Sequence, residues 1–79
     1  MTAYAQVELV AVRPDGTRVS TMSEPGTLHR TGPFERRAIG MVRTGEFARV
    51  DVNAREPGKA WATVWSINDR GETWINPEA

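Results

Sequence analysis

Arginine and tryptophan are the residue types in this chain best suited to chemistry between molecules. Arg36, Arg37, Arg43 and Arg49 fall within fourteen positions, and Trp61 follows twelve residues later. A guanidinium presents a planar fork of donors that matches a phosphate or a carboxylate bidentately. An indole offers a face for stacking and a large area for anchoring a protein partner. Trp61 and Trp65 share one side of an extended segment, a spacing suited to bases or sugars. Arg36, Arg37, Arg43, Arg49 and Trp61 are therefore the candidate binding residues. Each has a structural alternative. The arginines suit a solvated, salt-bridged strand edge, because charge blunts exposed edges. Three tryptophans in the last nineteen residues suit a core, because a small domain needs large side chains to bury enough area.

Catalytic chemistry has little to work with. There is no cysteine, hence no thiolate nucleophile, thiolate metal ligand or disulfide. The lone histidine, His29, has no Ser, Cys or Asp partners at triad spacing and reads as a loop residue. Zinc sites draw on several Cys or His ligands. Glu35, Glu46 and Glu72 have no spacing that marks paired carboxylates, and no glycine-rich phosphate loop or dinucleotide fingerprint is present. The expectation is a non-catalytic protein with no cofactor and no metal. An enzyme would need a deep pocket holding His29 beside a carboxylate.

The chain has 79 residues, with ten basic and ten acidic side chains and a net charge of zero. A domain of this length buries only about 60% of the surface its unfolded chain exposes. Neutrality argues against a general nucleic-acid binder, whose affinity comes from neutralised phosphates. The basic residues are nine arginines and Lys59. Residues 30–49 carry a local charge of +3, between −1 for residues 1–29 and −2 for residues 50–79. That basic middle suits either a contact surface or internal charge balance. No apolar run approaches the ~20 residues of a membrane span. The start, Met-Thr-Ala-Tyr-Ala-Gln, has no signal-peptide character. The expected location is the cytoplasm, or a particle assembled there.

Positioning these residues falls to short segments between turns. Pro14-Asp15-Gly16, Glu24-Pro25-Gly26, Thr31-Gly32-Pro33, Thr44-Gly45, Glu56-Pro57-Gly58 and Asn68-Asp69-Arg70-Gly71 are turn signals. Tyr4 to Arg13 alternates, with Val7 and Leu9 on one side and Val10 and Val12 on the other, which suggests cover on both faces near its end. Thr17 to Ser23 is a weaker strand carried by Val19 and Met22. Residues 24–35 form the longest irregular stretch, anchored by Leu28. Phe47 to Ala54 is a clear strand, and Ala60 to Ile67 returns beside it. Residues 34–43 read two ways. As a strand, Ala38 to Arg43 feeds the Thr44-Gly45 turn. As a helix, Pro33 occupies the first position and Phe34, Ala38, Met41 and Val42 share a face, with Gly40 as the weak point. The strand reading explains 38–54 with fewer pieces and is preferred.

Asp69-Arg70-Gly71-Glu72-Thr73-Trp74 resembles the Asp-box, the D-x-G-x-T-W hairpin of sialidase-like propellers and other β proteins. Asp69, Gly71, Thr73 and Trp74 match, whereas Ser66 lies three residues before the Asp instead of two. The resemblance covers about a tenth of the chain. It implies a folding element, with Asp69 satisfying turn amides and Trp74 packed against the preceding strand. It implies no sialidase activity, and the chain is too short for a propeller of ~40–50 residues per blade. In general make-up, with no motif to carry it, the chain also resembles small accessory proteins of phages, viral particle components or factors that bind a host protein.

The expected fold is one all-β domain over residues 1–79, a small antiparallel barrel or sandwich of five to six strands. The alternative is α+β, a ββαββ arrangement with a helix over 33–43. The expected core is Val7, Leu9, Val12, Val19, Ile39, Val50, Val52, Trp65, Ile67 and Trp74. The expected function is a protein-interaction or assembly module, acting on a protein partner or by self-association. Open strand edges, which can pair with another chain, support it. The second reading is a single-stranded nucleic-acid binder using Trp61, Trp65 and the arginines. No membrane partner is expected.

Overall fold

Alternating apolar residues build the centre of the molecule. In the computed structural model, which describes residues 3–23 and 28–78, β1 (Gln6–Val12) buries Val7, Leu9 and Ala11, and β3 (Arg49–Arg55) buries Val50, Val52 and Ala54. Side chains two apart share a face of a strand, so these rows coincide when the strands pair. They do pair, antiparallel, with Leu9 opposite Val52 and Ala11 opposite Val50. Strands β2 (Arg18–Met22), β4 (Ala62–Asn68) and β5 (Thr73–Ile75) complete one antiparallel sheet, ordered β2-β1-β3-β4-β5. Among the described residues the fold is thus mostly β, with five strands in one open sheet.

Residues 32–43 form helix α1 (Gly32–Arg43), with Pro33 in the first turn. The preferred strand reading of 38–43 is corrected, and the helical alternative describes this segment. Pro33 has no N–H to lose there and its φ suits a helix start. Glu35 accepts from the Thr31 hydroxyl at 2.7 Å, which favours the N-terminal end of the helix dipole. Gly40 is tolerated because it faces solvent. Ala38 and Val42 are buried, and Phe34, Ile39 and Met41 pack against the core from the same helix. Thr44 ends the helix, its N–H donating to the Met41 carbonyl and that of Gly45 to the Val42 carbonyl, both at 3.3 Å.

The helix crosses β1, β3 and β4 and reaches neither β2 nor β5. The outer strands therefore overhang. Among the described residues nothing covers the opposite sheet face, so the two-sided cover expected for β1 is corrected: Val10 and Val12 lie half-buried on an open surface. Val19 and Trp74, expected in the core, are 37% and 48% exposed: Val19 lies on the helix side of β2, beyond the helix, and Trp74, opposite Ser66, lies on the open face. Ile39 is half-buried at the edge of the helix interface. Tyr4, Ala11, Ala38, Val42, Phe47, Ala54 and Val64 join the core instead. Leu28 is 64% exposed and anchors nothing. The expected turn at 24–26 lies outside the described residues.

Two local devices fix the ends of the sheet. Tyr4 and His29 exchange backbone hydrogen bonds at 2.8 Å, tying the entry of β1 to the segment before α1. In the β4–β5 turn the Asn68 side-chain oxygen accepts from the Arg70 and Glu72 amides, each at 3.0 Å. Asn68, not Asp69, thus satisfies the turn. Asp69 instead donates its backbone N–H to the Ala48 carbonyl, and Trp74 stands half-exposed opposite Ser66 instead of packing inward.

Candidate interaction surface

The sheet separates the five candidate residues. Arg36, Arg37 and Arg43 project from the exposed side of α1, with Pro33 and Gly40 between them. Arg49 lies on the opposite, open face of the sheet, in register with Val12 and Asn68. Its Nε sits 3.1 Å from Asp51 Oδ1. Two residues apart on one strand, these side chains meet on the same face, and Arg49 is thereby paired within the chain. Trp61 precedes β4, with Arg55 stacked over its ring at 5.9 Å. Arg55 and Arg49 are the two ends of β3, about 20 Å apart at the usual rise of a strand. No single site unites the five.

On the helix, Arg36, Arg37 and Arg43 form no ion pair among the described residues. Arg43 lies in the last helical turn, where a cation complements the dipole. Two other basic groups are paired with carboxylates. Arg13 meets Glu46 at 3.3 Å and lies 5.6 Å over the Phe47 ring, and Lys59 meets Glu56 across its hairpin.

The open face is a satisfied polar surface. Asn53 donates to Glu8 at 3.3 Å and accepts from the Thr63 hydroxyl at 2.6 Å. With Val10, Arg18, Ser20, Arg49 and Asp51 these line a shallow depression of about 390 Å³. A second depression, about 250 Å³, lies on the helix side beyond the helix, floored by Tyr4, Ala54, Ala62 and Val64. A third, about 290 Å³, runs between α1 and the β4–β5 turn, with Ile39, Arg43 and Ile67 in its lining. His29 lines none of the three. Its ring instead meets Phe34 edge-on, centroids 6.3 Å apart.

Trp65 is 7% exposed. Trp65 thus lies in the core, as expected, and Trp61 is exposed, so the two do not form a stacking pair. In β4 the register shifts between Val52 and Asn53, with Val52 facing Trp65 and Asn53 facing Thr63. Val64 is the extra residue, and the bulge turns Trp65 toward the helix while Trp61 stays with Arg55.

Sequence reasoning passed over the two outer strands as a surface. Met22 is 52% exposed on β2, and Trp74 and Ile75 are 48% and 69% exposed on β5. Every residue of both strands is exposed. The signal was present in the weak alternation of Arg18–Met22, which holds too few apolar residues for a strand covered on a face. Among the described residues no helix is long and apolar enough to cross a membrane, and no group of His, Cys, Asp and Glu could hold a metal ion. Comparison with protein-family models, with curated proteins and with solved structures yields no match to this chain.

Proposed function

We propose that the protein is a non-catalytic interaction or assembly module that docks through its outer strands. The observation that carries this reading is the overhang. β2 and β5 each pair on one side only, lie beyond the reach of the helix, and expose Val19, Met22, Trp74 and Ile75. An unpaired strand edge is a template for another chain, with main-chain hydrogen bonds for affinity and flanking side chains for selectivity. Large apolar residues beside that template raise the gain on docking. A phage accessory role, as a particle component or a factor seated on a host protein, is the form of this reading that the make-up of the chain favours.

The test places a photo-crosslinking residue at Met22 or Ile75 and, as a control, at Asp15 on a hairpin tip. Adducts with protein are expected from the first two and not from the third. A strict monomer by light scattering, together with no adduct from either strand, would overturn the reading.

The second reading, single-stranded nucleic acid, keeps one favourable observation: Trp61 and Arg55 pair on a surface that also carries Arg18, Arg49 and Trp74. Against it stand the buried Trp65, the paired Arg49 and the zero net charge. Unquenched tryptophan emission on oligonucleotide titration at low salt would end it.

A further inference from the structure

The hydrogen bonds around β2 define which of its backbone groups remain open. At the hairpin, Arg13 N–H donates to the Thr17 carbonyl, and at the far end Ser23 N–H donates to the Val7 carbonyl, both at 2.8 Å. In an antiparallel pair, residues that exchange bonds alternate with residues that do not. Val19 and Thr21 therefore turn both N–H and C=O toward β1, as do the Thr17 C=O and the Ser23 N–H at the two ends. Arg18, Ser20 and Met22 turn theirs away from the sheet, to the side where no strand lies among the described residues.

We propose that a second copy of this chain pairs with β2 about a two-fold axis through Ser20, joining two sheets into one. This rests on the interaction reading above and names its partner. The register is self-complementary. Ser20 faces Ser20 and exchanges both backbone bonds with it, while Arg18 and Met22 exchange theirs reciprocally, so each outward N–H and C=O of the strand meets a partner. A two-fold interface requires such a match of a surface with itself. The side chains agree as well. Arg18 falls opposite Met22, whose thioether can receive the aliphatic stem, and Val19 falls opposite Thr21 on the helix side. No like charges face each other, and the chain carries no net charge to oppose association.

Apart from the charge of Arg18, β2 also lacks the devices that normally block an edge. It has no proline, no lysine, no acidic residue and no bulge. β5 is the poorer edge. It has three residues, and Asn76 N–H bonds back to Val64, so only Thr73 and Ile75 present outward groups. A five-residue strand pair buries less than the roughly 1,200–2,000 Å² of a standard interface. The dimer is accordingly weak and populated at high protein concentration.

Sedimentation velocity across a hundredfold range reaching millimolar chain concentration tests this. A reversible monomer–dimer equilibrium is expected. Ser20→Pro removes the central outward N–H and should raise Kd by about tenfold or more. Among the described residues that N–H has no partner within the protomer, and proline is tolerated at such an edge position. Ser20→Lys places like charges directly opposite and should act in the same direction. Unchanged circular dichroism and urea midpoints establish that both variants fold. Thr73→Lys, on the other edge, should leave association intact. A wild-type monomer at all concentrations overturns self-pairing, as does a dimer indifferent to both Ser20 substitutions. If that monomer still forms adducts from Met22, the interaction reading survives with a different protein as partner.

Discussion

Trp65 stands directly opposite Val52 in the β3–β4 ladder, at the point where the register shifts. The extra residue, Val64, lets two consecutive side chains of β4 turn inward, and both are buried. Truncation here removes the largest aromatic of the core. Trp65→Ala should lower stability by about 3–5 kcal/mol, a large share of a small domain's margin, read as a fall in the urea midpoint. Trp65→Phe should fold and lose the blue-shifted part of the tryptophan emission. Trp61→Phe and Trp74→Phe should remove only solvent-exposed emission.

Two glycines in and beyond α1 should respond to alanine with opposite signs. Gly40 is exposed, and a Cβ there meets nothing within 4 Å. Gly40→Ala should stabilise the protein by about 0.8–1.0 kcal/mol, raising Tm by about 4–8 °C for a domain of this size. Gly45 has open space around it too, but its φ is +80°. Gly45→Ala should cost about 1–2 kcal/mol because an L side chain is strained in that region. Thermal unfolding of both variants checks the pair.

Asp15 accepts from the Thr17 N–H at 2.9 Å and from the Thr17 hydroxyl at 2.7 Å. These bonds, led by the backbone one, hold its carboxyl below the ordinary aspartate value. The folded state thus favours the ionised form. Its stabilising contribution is complete above the unfolded pKa of about 3.9 and is lost as pH falls through the lower, folded value. Carboxyl chemical shifts followed below pH 5 should show the Asp15 midpoint below the ordinary aspartate value. Asp15→Asn should flatten the acid limb of the stability profile.

Arg36 and Arg37 should be dispensable for folding. Neither forms an ion pair among the described residues, and both face solvent. Arg36→Gln and Arg37→Gln should each change stability by less than about 0.5 kcal/mol in urea denaturation. A larger fall would assign them a structural duty that the ion pairs do not reveal.

Residue order alone determined the alternating strands. Val7 and Leu9 in β1, and Val50 and Val52 in β3, lie in the core because side chains two apart must share a face. The turn positions that bound them follow from proline, glycine, aspartate and asparagine, whose preferences are local. The same locality explains the misreading of 38–43. Gly40 penalises a helix only by about 1 kcal/mol, and burial of Ala38 and Val42 against the sheet outweighs it.

Tertiary structure decided everything that depends on which strand ends up outermost. Val19 and Trp74 have the character of core residues, yet the helix stops short of β2 and leaves Val19 uncovered, and Trp74 turns to the face the helix does not cover. It likewise put Arg36, Arg37 and Arg43 on one side of the sheet and Arg49 on the other, although the chain writes them close together. Sequence spacing sets the side a residue takes within its own element. The packing of elements sets which sides meet, and that is a long-range property no local pattern contains.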